Sequence, residues 1–182
     1  MLLDLAGQMI GPTLPPDLWP MARTNETPGD RLKRMWSTLS PLPGGRWIFS
    51  RLLGLMVPYT NSIRSTVLEF EPGHARVLMR DRRRVRNHLR SVHAIALANV
   101  GELVTGLSLI SGLGSDLRAI LTGLDIRYTK KARGPLVAEA MCTIPEVVDS
   151  IDHPVEATIR DEDGDVVAIV TARWRLGRAR SR

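Results

Sequence analysis

The chain has 182 residues, enough for one domain with a substantial core and too few for two comfortable ones. Hydrophobic residues make up 43% and charged residues 24%, a globular balance that excludes disorder along the whole length. The formal charge of +6, from 25 Lys and Arg against 19 Asp and Glu, favours an anionic partner: nucleic acid, an anionic membrane or a phosphorylated ligand. The single cysteine, Cys142, rules out an intrachain disulfide and reads as a small buried hydrophobe in an apolar run. Residues 1–10 carry Asp4 and lack a basic leader, so a cytoplasmic location is expected.

Residues 1–29 hold Pro12, Pro15, Pro16, Pro20 and Pro28 and read as a loosely ordered tail. Residues 30–57 read as a helical extension. Leu32, Met35, Trp36 and Leu39 fall at helical spacing until Pro41 and Pro43, and a second helix over about 45–56 ends at Pro58. Its mixture of Arg46 and Arg51 with Trp47 and Phe49 leaves two readings. The apolar stripe packs on the following domain, or the element lies on a membrane surface.

Residues 58–182 read as one α+β domain. Strands are expected at Ser62–Phe70 and His74–Asp81, joined by a turn at Pro72-Gly73. A long apolar helix follows at about 92–111. Four strands come next, at about 117–130, 135–144, 153–161 and 165–177, with Pro154 near a strand start and a hairpin at Asp161–Asp165. Ala94–Leu113 is long enough to span a bilayer, but Glu102 at mid-depth would cost roughly 2.5–3.5 kcal/mol, so no stable membrane insertion is expected. A helix apolar on nearly every side must be wrapped, and a curved antiparallel sheet around one helix does this.

Between Ser91 and Ser115, Glu102 is the only formally charged side chain. A carboxylate buried there loses hydration, so its pKa should rise toward the range a general base needs near neutrality. His93 lies at the expected helix start, where the free N–H groups of Ala94 and Ile95 can polarise a carbonyl and hold an oxyanion. Asn87 precedes it in a loop and is placed to orient water or that carbonyl. His88 and His93 lack a third ligand, so no metal is expected.

Asn87, His93 six residues later and Glu102 nine beyond that resemble the hotdog-fold thioesterases of the PaaI-like type. Those typically read N-x-x-G-x-x-H-G-G before an acid-bearing helix. Ala94 and Ile95 stand where the family has Gly-Gly, and Arg90 replaces its loop glycine, which is closest to a less characterised branch without the double glycine. The resemblance implies a hotdog fold and hydrolysis of acyl-CoA thioesters. Glu102 would act as general base or as nucleophile, and no cofactor would serve beyond the coenzyme A of the substrate. It also implies a homodimer, possibly a tetramer, with the helix start from one subunit and strand residues near Thr122 from the other. Thr105 near the acid, and the basic residues Arg84, Arg86, Lys130, Lys131 and Arg133, become candidate substrate contacts. The alternative is a hotdog protein that binds acyl-CoA or a partner without catalysis. A hydratase and a nucleic-acid binder are weaker readings, the latter because aromatics make up only 4% of the chain.

Overall fold

The computed structural model describes residues 27–179, so the expected tail lies outside the described residues up to residue 26. Helix α1 spans Pro28–Leu39, two residues earlier than expected. Proline fits the first helical position because its missing N–H has no partner there, and Thr27 caps the turn by accepting from the Asp30 N–H at 3.2 Å. Helix α2 spans Gly45–Met56. Its inner face buries Phe49 and Leu53, and the rings of Trp36, Phe49 and Phe70 meet with centroids 5.0–6.1 Å apart. Ser50 Oγ accepts from the Val67 N–H at 2.8 Å and ties α2 to the sheet.

The sheet is formed by β1 (Thr66–Glu71), β2 (His74–Met79), β3 (Leu117–Tyr128), β4 (Leu136–Met141), β5 (Ser150–Arg160) and β6 (Val166–Arg178). All pairs are antiparallel, in the order β1-β2-β4-β5-β6-β3. The β1–β2 turn places Gly73 at φ 74°, the left-handed position that a Pro-Gly turn reserves for glycine. Helix α3 (Ala94–Gly112) touches all six strands. Val100, Val104 and Leu109 on it are fully covered, each stabilising by roughly 1.5–3 kcal/mol. Although α3 is long and apolar enough for a bilayer, most of it is inside the protein, so it is a core helix. One helix wrapped by an antiparallel sheet, with helices ahead of it, is the expected hotdog architecture.

Other boundaries also differ from expectation. Thr60–Ile63 is a 3-10 turn rather than the start of a strand, and Arg64 ends it at φ 46°. Strand β4 stops at Met141, and β5 begins at Ser150. Pro154 therefore sits inside β5, in a stretch paired only with β6, since β4 reaches no further than Ala157. A missing N–H is tolerated on such an open edge.

Candidate active site

Along α3, Ile95, Ala98 and Glu102 form a strip that stays partly uncovered. Gly101 abuts Val170 and Gly106 abuts Trp174, both on β6, and the strip lies between these two directions around the helix. The β6 residues Ala168, Val170, Ala172 and Trp174 are buried on the α3 side, and their β3 partners are Tyr128, Ile126, Leu124 and Leu121. Residues opposite each other in an antiparallel pair share a face, so these four also look toward α3. None of them is fully covered. An apolar trough therefore runs between α3 and β3, with Glu102 as the one charged group that α3 brings to it.

Glu102 is half-buried, and no hydrogen bond or ion pair reaches its carboxylate among the described residues. Burial without a compensating partner holds its pKa above the ordinary carboxyl value of 4.5. The group is therefore more basic than an exposed glutamate. No salt bridge among the described residues neutralises it.

The head of α3 is already partly engaged. His93 is the N-cap, and its Nδ1 accepts from the Ile95 N–H at 3.1 Å. The ring nitrogen facing Ile95 must then be unprotonated. Of the two expected oxyanion donors, Ile95 is spent on this cap and Ala94 is not. Asn87 is turned to its own loop: its Oδ1 accepts from the Leu89 N–H at 2.9 Å and from the Ser91 N–H and hydroxyl at 3.2 Å each. Only its amide NH2 remains to meet a ligand. Arg90, in the same turn, adopts φ 56°, where glycine is the unstrained choice.

Glu102 lies eight residues beyond Ala94, so the α-helical rise separates their backbones by about 12 Å. The two backbone groups are therefore more than two helical turns apart. Other candidates fall in different places. Thr105 is fully buried and its hydroxyl donates to the Glu102 carbonyl at 2.9 Å, so it faces the core and not a substrate. Thr122 is exposed at the β3 bulge between Leu121 and Gly123 and donates to the Arg173 carbonyl at 3.0 Å. Lys130 bridges Asp161 at 2.8 Å and Asp165 at 2.6 Å, and these hydrogen bonds raise its pKa. It staples the β5–β6 hairpin. Arg86 pairs with Asp81 at 2.6 Å. Arg84, Lys131 and Arg133 are exposed and carry no ion pair among the described residues. No group of three or more His, Cys, Asp or Glu among the described residues could hold a metal ion.

Two residues were missed from the sequence. The Tyr128 hydroxyl donates to the Ala94 carbonyl at 3.2 Å, and burial raises its pKa. It joins the end of β3 to the head of α3, and a terminal aromatic was the only signal. The almost covered carboxylate of Asp81 accepts from the Gly134 N–H at 3.1 Å as well as from Arg86. It ties the loop before α3 to the loop after β3. The Val92 N–H, donating to the Ala132 carbonyl at 2.8 Å, adds a second tie.

Solved structures share this fold. A structural-genomics target superposes with a TM-score of 0.71 at 28% identity, over 81% of this chain and 98% of its own. A Pseudomonas aeruginosa protein of unknown function, described as a probable thioesterase, gives 0.67 at 23% identity over 76% and 97%. A hypothetical thioesterase from Streptococcus pneumoniae gives 0.55 at 17% identity over 63% and 91%. The latter two, at such identities, speak to the fold. No curated protein matches the chain. Residues 45–176, which include the whole trough, match the family described as Domain of unknown function (DUF4442), and the chain belongs to that family.

Proposed function

We propose that the protein is a thioester hydrolase acting on acyl-CoA, with Glu102 as the reacting carboxylate. The observation that carries the reading is a half-buried carboxylate of raised pKa, free of any partner among the described residues, on an apolar trough. As a base it would take a proton from water. The hydroxide would add to the thioester carbonyl, and collapse of the tetrahedral oxyanion would expel coenzyme A as a thiolate, which then takes up a proton. As a nucleophile it would add to the thioester carbonyl and expel coenzyme A as a thiolate, leaving a mixed anhydride that water then opens to the free acid and the restored carboxylate. The fold family of the solved neighbours described as thioesterases supports the same chemistry by analogy.

The 12 Å helical separation argues that the oxyanion donors come from a second copy. β3 is an edge strand of 12 residues, paired with β6 alone among the described residues, and offers a row of backbone groups for a partner strand. A homodimer across β3 would set the head of one α3 against the other copy's Glu102. Tyr128 would steady that head, and the Asn87 amide would face the carbonyl. Arg84, Lys131 and Arg133 would take the phosphates of coenzyme A. The protein would need no cofactor or metal of its own and would work in the cytoplasm.

A second reading, acyl-CoA binding without turnover, is favoured by the engagement of Ile95 with His93. Release of free thiol from a panel of acyl-CoAs separates the two. The hydrolase reading expects release by the wild type and loss of at least about a hundredfold in Glu102→Gln with cooperative unfolding retained. Binding without thiol release, or undiminished release by Glu102→Gln, would refute it.

A further inference from the structure

Helix α2 is apolar on both faces. Phe49 and Leu53 point into the protein, while Trp47 is 60% exposed, Leu55 73% and nearby Tyr59 73%, with Ile48, Leu52 and Met56 also exposed. Arg51 stands between Trp47 and Leu55 on the same helical stripe, its guanidinium 5.8 Å from the Trp47 ring. Its Nε is buried with no hydrogen-bond partner among the described residues.

Arg51 also links the apolar face to a cationic cluster. The pKa of Arg82 is lowered, first by burial and then by the charges of Arg51, Arg64 and Arg80 around it. None of these four arginines has a carboxylate partner among the described residues. From Arg31 to Leu68 the sequence has no Asp or Glu, yet it carries Arg31, Lys33, Arg34, Arg46, Arg51 and Arg64. Crowding like charges is unfavourable unless an anion relieves it.

We propose that the outer face of α2, with Arg51, Arg64, Arg80 and Arg82 beside it, docks on an anionic phospholipid surface. Trp47, Leu55 and Tyr59 would sit at the level of the headgroups, and the arginines would meet lipid phosphates. Charge complementarity selects this occupant over a second copy. In a two-fold contact the same patch faces itself, and four guanidiniums would oppose four others with no carboxylate between them. Docking is peripheral: α3 stays in the core and nothing crosses the bilayer.

The test is co-sedimentation of the full chain with vesicles of phosphatidylcholine alone or mixed with phosphatidylglycerol. No thioester is present, so the outcome is independent of the hydrolase reading. Wild type should sediment with the anionic vesicles, less at high salt, and little with the neutral ones. Arg64→Gln and Arg82→Gln should each weaken binding about fivefold. Leu55→Asp, at an exposed position, should abolish it while urea unfolding stays cooperative. Absence of wild-type sedimentation, equal binding to neutral vesicles, or unchanged binding by all three variants would overturn the proposal. So would a Leu55→Asp change confined to self-association.

Discussion

Gly101→Ala tests how closely α3 is pressed on the sheet beside Glu102. A methyl at this position would lie 2.4 Å from Val170 Cγ2 and 2.9 Å from its Cβ and Cγ1. Ordinary carbon contacts begin near 3.5 Å, so helix and strand must part by about 1 Å or Val170 must distort. The strand cannot yield alone, because β6 is hydrogen-bonded to β5 on one side and β3 on the other. Overpacking of this kind costs about 1–3 kcal/mol, and the upper half of that range suits so short a contact. Replacing a mid-helix glycine by alanine returns about 1 kcal/mol, leaving a net loss of about 1–2 kcal/mol. Val170→Ala alone should also destabilise, by opening a cavity at a fully buried site. Together the two changes should fit each other, so the double variant should exceed the additive sum by about 1–3 kcal/mol. Urea midpoints for the four proteins measure this cycle. A Gly101→Ala chain as stable as wild type, or strict additivity, would refute the packing argument.

Two further outcomes follow from the site. Burial raises the folded-state pKa of Glu102 above its unfolded value, so ionisation opposes folding. Below about pH 4.5 both states hold the proton and no penalty exists; it grows as pH rises toward the folded pKa and is complete above it. Glu102→Gln should therefore stabilise the chain at neutral pH, and the gain should vanish in acid, as urea unfolding at several pH values would report. Arg90→Gly, which relieves the φ of 56°, should stabilise by about 1 kcal/mol. That corresponds to a rise in Tm of about 2–4 °C, and a fall would contradict the strain.

The core of this fold was legible because its signals are local. A long apolar run interrupted by a lone acid favours a wrapped helix over a bilayer span. Pro72-Gly73 and the Asp161–Asp165 stretch announce their turns by residue type. The departures arise where local and distant preferences conflict. Ser62 is expected to open the strand that runs to Phe70, but Thr60 and Ile63 are buried and Asn99 of α3 reaches Ser62 at 3.5 Å, which favours the 3-10 turn. The fate of the basic candidates was hidden for the same reason. Lys130 finds Asp161 and Asp165 more than thirty residues away, while Lys131 beside it finds none among the described residues. Thr105 looked available because spacing alone does not say that its side of the helix is fully covered. The backbone distance from Ala94 to Glu102, by contrast, follows from helical rise alone.

The imidazole that caps α3 sets two properties of the molecule against each other. It holds the first turn by occupying Ile95, and such a cap contributes about 1 kcal/mol. Any oxygen anion that claims the same hydrogen must evict the ring, and its measured affinity will be lower by what the ring was contributing. A chain without this side chain would fold less firmly and grip an anion harder. Durability and readiness to bind thus compete for one hydrogen atom.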